Sequence, residues 1–224
     1  MHQDERHALL AWAMESKCTT AVILLLRTGK IYFRPDSVNR VVLLLGWAYR
    51  DGHQELFELL LYSNAVDLDC TCDERSTLLY SSAEVGDLEI VKLLTATGRV
   101  NCNSRNGQYQ QTPLSVAIEK GFSDVAEHLL GTGQCQVDVR DTSGWTPLSM
   151  AVQRGRVSVV RILLDEFIDK IDLHSRDMWG ESPIVWAQKR KCKIIHRMLV
   201  EADEKKIASE RRFGGLNARA ENIL

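Results

Sequence analysis

The chain has 224 residues, 45% of them hydrophobic and 26% charged, with 28 Lys and Arg against 30 Asp and Glu. This mix argues against intrinsic disorder, and a formal charge of −2 gives no global attraction to nucleic acid or an anionic membrane. No apolar run approaches the ~20 residues that span a bilayer, and six scattered cysteines without CxxC spacing point away from a zinc or redox motif.

In chain order, Met1 to His7 lacks the basic-then-apolar layout of a secretory leader, and no Asn-x-Ser/Thr acceptor occurs. The expectation is an intracellular chain with free thiols, in the cytoplasm or nucleus. The apolar stretches Ala21–Leu26 and Val41–Leu45 are core-sized. A period then becomes legible. Pro113, Pro147 and Pro183 are separated by 34 and 36 residues and follow Thr112, Thr146 and Ser182. Gly52, Gly86, Gly121 and Gly155 recur at 34, 35 and 34. With Thr112 as offset zero, equivalent starts fall near Ala8, Leu43, Thr77, Thr112, Thr146 and Ser182. Offset five is small in each unit (Ala13, Ala48, Ser82, Ala117, Ala151, Ala187). Offset seventeen is always Leu (Leu25, Leu60, Leu94, Leu129, Leu163, Leu199).

Each unit reads as two short helices and a turn. Thr or Ser supplies an N-cap oxygen, and Pro suits the first helical position. The spacing predicts a first helix over Pro113–Lys120, ended by Gly121, and a second over Ser123–Leu130 that buries Val125, Leu129 and Leu130. The stretch Gln136–Arg140 leads to Asp141-Thr142-Ser143-Gly144, a turn composition. Helices this short are marginal alone, so neighbour-to-neighbour stacking must supply the stability. The first two units lack the Thr-Pro start, and residues 201–224, charged and with Gly214-Gly215, read as a C-terminal cap or tail. The expectation is an all-α fold in one domain over residues 1–224.

Thr112-Pro113-Leu114-Ser115-Val116-Ala117 and Thr146-Pro147-Leu148-Ser149-Met150-Ala151 resemble the ankyrin-repeat signature. So does Val159-Val160-Arg161-Ile162-Leu163-Leu164 with its Gly-punctuated neighbours. The resemblance covers roughly residues 8–201. Ser at offset three, and Trp at offset four in Trp12, Trp47 and Trp186, resemble the repeats of fungal proteins. The resemblance implies a solenoid of about six helix-turn-helix units with short β-turn or hairpin loops. Its turn tips and first helices would form a concave face that binds partners.

No phosphate loop, dinucleotide fingerprint, nucleophile elbow or HExxH is present. Asp67-x-Asp69-x-Thr71-x-Asp73 imitates a calcium loop, but Cys72 and Leu78 stand where Gly and a bidentate Glu are needed, so it reads as a turn. His128 reads as partly buried or in contact with solvent rather than ligating. The six cysteines read as small packing residues, and the offset-four tryptophans as core. No cofactor or metal is expected.

The positions that the resemblance places on the concave wall are more informative. In the C-terminal half they combine Tyr109, Trp145 and Trp179 with Lys120, Arg154, Lys189 and Arg190, while Glu84 and Glu119 share offset seven of the third and fourth units. Aromatics and Arg are enriched at interface hot spots. The expected function is non-catalytic protein–protein recognition, as adaptor, scaffold or inhibitor, of an acidic segment carrying apolar anchors. A small-molecule binder or enzyme using Glu84 and Glu119, ~8–10 Å apart on adjacent units, is the alternative. Nucleic-acid binding through Lys120, Arg154, Lys189, Arg190 and Arg211-Arg212 is opposed by the overall charge. No membrane association is expected.

Overall fold

The computed structural model of the chain describes residues 12–13, 16, 18–27, 44–45, 47–48, 51–62, 68–69, 76–106 and 108–220, with side chains up to 208. The described residues form ten α-helices and one 3₁₀ turn, without a strand. In order these are α1 (Thr19–Arg27), α2 (Gln54–Tyr62), α3 (Leu78–Val85), α4 (Leu88–Ala96), α5 (Pro113–Lys120), α6 (Ser123–Gly131), α7 (Pro147–Gln153) and α8 (Val157–Glu166). The 3₁₀ turn Ile168–Lys170, α9 (Pro183–Lys189) and α10 (Lys193–Ala220) follow. The starts near Ala8 and Leu43 lie outside the described residues, as does most of the calcium-like stretch 67–73.

First helices α3, α5, α7 and α9 pack in succession, and second helices α4, α6, α8 and α10 pack in a parallel row. Hairpin contacts tie α3 to α4, α5 to α6, α7 to α8 and α9 to α10. The offset-five residues run through the stack: Ala48, Ala117, Ala151 and Ala187 have no exposed surface, and Ala13 and Ser82 are buried. A larger side chain there would push neighbouring first helices apart. Leu60, Leu94, Leu129, Leu163 and Leu199 fill the space between the layers; Leu25 is half-buried. The arrangement is the all-α repeat solenoid expected from the period.

The Thr-Pro starts work as capping chemistry requires. Thr112 Oγ1 accepts from Ser115 N, and Thr146 Oγ1 from Ser149 N, both at 3.2 Å. Each capping hydroxyl also meets a serine hydroxyl, Ser115 or Ser149, at 3.1 and 2.9 Å. Ser182 differs from its expected role. Its backbone is extended like theirs, yet its side chain makes no cap. Serine lacks the methyl that restricts the threonine rotamer, and Val185 replaces the serine hydroxyl at offset three. Gly121 ends α5 at φ 97°. A Cβ there would also sit 2.2 Å from the end of the flexible Arg156 side chain of the next unit, which can shift, so the left-handed backbone is what demands glycine at this position.

Two ladders lock the units in register. Behind the turns, Asp69 accepts from Asn101 N at 2.7 Å, Asn103 from Gln136 N at 2.6 Å, and Asp138 from Asp172 N at 3.3 Å. The next residue in this series, His174, meets Asp203 of α10 at 3.1 Å instead. Thus α10 stands in for a following unit, and Lys206 Nζ ties it to the carbonyls of Ile168 and Ile171 at 3.1 and 2.9 Å. At the turn tips, Thr142 N donates to Tyr109 O and Met178 N to Ser143 O, at 3.0 and 2.9 Å. Gly144 permits this approach: a Cβ there would lie 3.3 Å from Asp177 Cα.

The expectation that every offset-four tryptophan is core holds unevenly. Val116 and Met150, with units on both sides, are buried, whereas Trp47 and Trp186 are half-buried and Trp12 is 59% exposed. His128 is half-buried and meets Thr95 Oγ1 at 3.0 Å. Burial and Lys92 hold its imidazole below the ordinary histidine value, so its contribution to stability is lost as pH falls below about 6.5. Among the cysteines, Cys102 is buried and Cys18, Cys135 and Cys192 are half-buried, all free thiols. Cys70 and Cys72 lie outside the described residues.

Three stability outcomes follow for chemical and thermal melts. Ser182→Thr restores the missing cap and stabilises by about 0.5–1 kcal/mol, whereas Gly121→Ala destabilises by about 1–2 kcal/mol. Asp138 holds its carboxyl above the usual value, chiefly because burial disfavours the charge, while Asp172 N donates to it. Its Oδ1 has no hydrogen-bond partner. The folded state therefore binds this proton more tightly, and stability falls as pH rises above 3.8 through the raised value. Asp138→Asn raises the urea midpoint at neutral pH and leaves it nearly unchanged near pH 3.8; an equal effect at both would sink this assignment.

Candidate functional site

Turn tips and first helices line one wall, and in the fourth, fifth and sixth units the tip geometry follows from an Asx residue at its base. Asn106 Oδ1 accepts from Tyr109 N and Gln111 N at 3.2 and 3.0 Å. Asp141 Oδ1 accepts from Ser143 N and Trp145 N at 2.8 and 2.9 Å. Asp177 Oδ1 accepts from Trp179 N and Glu181 N at 3.0 and 2.9 Å. Such side chains mimic a backbone turn and fix the tip rigidly. The tip of the fourth unit holds one more residue, accommodated by Gln110 at φ 55°. Burial raises the Asp141 carboxyl above its ordinary value, opposed by the Trp145 and Ser143 amides.

Between the third, fourth and fifth units the wall encloses a cleft of about 550 Å³, open to solvent on one side. Tyr80, Tyr109, Gln111, Glu119 and Arg154 are among its lining. Asn106 Nδ2 donates to Tyr80 Oη at 3.0 Å, and Tyr80 Oη to Gln111 Oε1 at 3.3 Å. Gln111 Nε2 donates to Glu119 Oε2 at 2.7 Å, and Arg154 Nη2 to Glu119 Oε1 at 2.8 Å. Lys120 pairs with Glu84 at 3.3 Å.

This arrangement alters how the sequence positions read. Lys120 and Arg154 share offset eight, and Glu84 and Glu119 share offset seven on the preceding unit. Each cation crosses to the unit before it, and the two pairs neutralise each other. Glu84 and Glu119 therefore serve as ion-pair partners within the wall rather than as two free carboxylates around a water. Lys189 departs from the pattern: it pairs with Glu181 at 2.8 Å and lies over the Trp186 ring, 5.3 Å from its centroid. Arg190 occupies offset eight of the last unit, but Gln153 stands where the earlier units have Glu. Among the described residues Arg190 has no ion-pair partner and is exposed.

The aromatics divide as well. Tyr109 and Trp179 are 51% and 61% exposed, whereas Trp145 is 9% exposed. The expectation of Trp145 as an open contact residue is corrected. The tip of the next unit folds across it, and Trp186 and Trp179 pack against it with ring centroids 5.2 and 6.1 Å away. Asp177 Oδ2 accepts from Trp186 Nε1 at 2.7 Å, which holds the cluster in place. Asp177 escaped the sequence reading; the Asx five residues before offset zero, shared with Asp141, is the signal that identifies it. Met178, 67% exposed beside Trp179, extends the apolar tip.

Away from this wall, Cys102 donates to Gln134 Oε1 at 3.2 Å. The Cys135 thiol lowers the Cys102 thiol by hydrogen bonding and is itself raised. No group of three or more metal-ligating side chains forms among the described residues. No helix among them is long and apolar enough to cross a membrane.

The family model described as ankyrin repeats (3 copies) matches residues 45–141 and 127–210. Among curated proteins, Alpha-latrotoxin-Lg1a of Latrodectus geometricus is 29% identical over 100 residues, covering 44% of this chain and 7% of its own length. Alpha-latrotoxin-Lhe1a of Latrodectus hesperus is 30% identical over 91 residues, 41% of this chain and 6% of its own. Alpha-latrotoxin-Lt1a of Latrodectus tredecimguttatus is 28% identical over 100 residues. The chain thus spans less than a tenth of the length of these relatives.

The different burial of the two tip tryptophans has a direct consequence for unfolding. Trp145→Ala destabilises by about 3–5 kcal/mol, whereas Trp179→Ala, which loses only an edge contact, costs about 1 kcal/mol or less. Urea denaturation of both variants measures this; equal costs would show that Trp145 is not buried as described.

Proposed function

The chain belongs to the ankyrin-repeat family, and we propose that it is a non-catalytic protein-recognition module that binds its partner on the concave wall. Ankyrin repeats generally mediate protein–protein interaction; the binding face and the adaptor, scaffold or inhibitor role are the proposal. The observation that carries it is the exposure of Tyr109 and of Met178-Trp179 on turn tips whose backbones are pinned by Asn106 and Asp177. Rigid, exposed aromatics lose little conformational entropy on binding, which favours them as anchors. The polar cleft beside Tyr109 offers hydrogen-bonding groups for side chains of the bound segment. Trp145 supports Trp179 from beneath rather than touching the partner.

The six units form one recognition domain in this reading, and the free thiols accord with an intracellular setting. The ion pairing of Glu84 and Glu119 favours recognition over catalysis, because each carboxylate already has a cationic partner.

Affinity capture followed by mass spectrometry, comparing the wild-type chain with Tyr109→Ser/Trp179→Ser, tests the reading. Both residues are surface positions, so the variant keeps its melting curve to within a few degrees. The expected result is loss of the same specific protein from the captured set, with affinity reduced at least ten-fold. Retention of every specific partner by the folded variant would overturn the proposal.

A further inference from the structure

The turn between α9 and α10 contains Lys189-Arg190-Lys191-Cys192-Lys193. Lys189 is turned away to Glu181. The other three cations are exposed, and among the described residues none has an ion-pair partner. Arg190 caps the C-terminal end of α9, where the helix dipole favours a cation, but Lys191 and Lys193 stand where local physical chemistry disfavours them. Arg190 has Gln153 at the repeat position of the preceding unit where Lys120 and Arg154 find a glutamate. Lys191 adopts φ 56°, at the offset where Gly52, Gly86, Gly121 and Gly155 take the left-handed backbone; a side chain there is strained. Lys193 begins α10, whose first turn has no acidic residue, so its charge opposes the positive end of the helix dipole. Helices α2, α4 and α6 carry Glu55, Glu89 and Asp124 in their first turns, whereas α8, like α10, carries none. Three exposed cations within four residues, without ion-pair partners among the described residues and two of them unfavourably placed, point to function rather than folding.

We propose that Arg190, Lys191 and Lys193 form an anion-binding turn that receives the carboxylates of a short acidic segment in the partner protein. The proposal rests on the concave-wall reading and supplies the partner's chemistry. Among the described residues the other cations of the first-helix wall, Lys120, Arg154 and Lys189, are already charge-paired, so this turn is where an acidic segment finds unneutralised cations. The patch comprises three cations within four residues, a size that suits a short acidic peptide rather than a long polyanionic strand. Helix α9 has seven residues, about 10 Å. An extended segment covers that distance in about three to five residues, so an apolar anchor on Trp179 and an acidic run at Arg190 fit one continuous peptide.

Fluorescence anisotropy with labelled hexaglutamate, hexalysine and dodecathymidylate, at low salt and at about 0.15 M salt, tests it on the full chain. Hexaglutamate is expected to bind at low salt, more tightly than dodecathymidylate, and to weaken as salt rises. Arg190→Gln/Lys193→Gln weakens it at least ten-fold, whereas Lys92→Gln on α4 leaves it unchanged. Lys191→Gly should raise the melting temperature while lowering affinity, a combination that a merely structural lysine does not produce. Tighter binding of dodecathymidylate would overturn the proposal in favour of nucleic acid. Absence of hexaglutamate binding, or unchanged affinity in Lys191→Gly, would overturn it outright. Hexaglutamate carries no apolar anchor, so Tyr109→Ser/Trp179→Ser leaves it bound. Failure of this proposal is therefore distinguishable from failure of the concave-wall reading.

Discussion

Close approach of successive first helices is the constraint on which the rest of the molecule depends. It is set by a column of small side chains, with Ala117, Ala151 and Ala187 wholly buried along α5, α7 and α9. Helices this near to one another, ~8–10 Å between axes, repeat their mutual geometry at every step. An offset in one unit therefore meets a fixed offset in the next. The Arg154–Glu119 and Lys120–Glu84 pairs, the Asx-to-amide ladder and the amide–carbonyl contacts between tips are all results of that single translation.

The same translation makes exceptions informative. Gln153 breaks a charge alternation and leaves Arg190 without its partner. Lys191 breaks the glycine series. His174 breaks the Asx series and meets Asp203 of the long terminal helix. The last of these closes the second-helix row at its C-terminal end, while the first two leave a concentrated positive charge beside it. In a repeat protein each unit depends on its neighbours for stability, so local departures of this kind can be accommodated without disturbing distant units.

The electrostatics of the wall show why a count of charged residues is a poor guide to a binding surface. Lys120, Arg154 and Lys189 look alike in sequence to Arg190, yet all three are held by glutamates of the wall itself. Exposed ion pairs contribute little to stability, but they remove free charge from the face. In the proposed reading, recognition then falls to the pinned aromatic tips and to the cations of the described wall that have no ion-pair partner.

The sequence by itself determined the repeat period, the helix starts at Thr77, Thr112 and Thr146, the small column at offset five and the leucines at offset seventeen. These are local or strictly periodic properties: a cap needs only its own three residues, and a period is visible without coordinates. Only the tertiary structure decided that Trp145 is covered while Trp179 is open, that Glu84 and Glu119 are ion-paired, and that Trp12 is exposed at an offset buried elsewhere. Each of those outcomes depends on what the neighbouring unit lays across the position. The reach of a side chain between units is set by packing in three dimensions, which residue spacing along the chain does not encode.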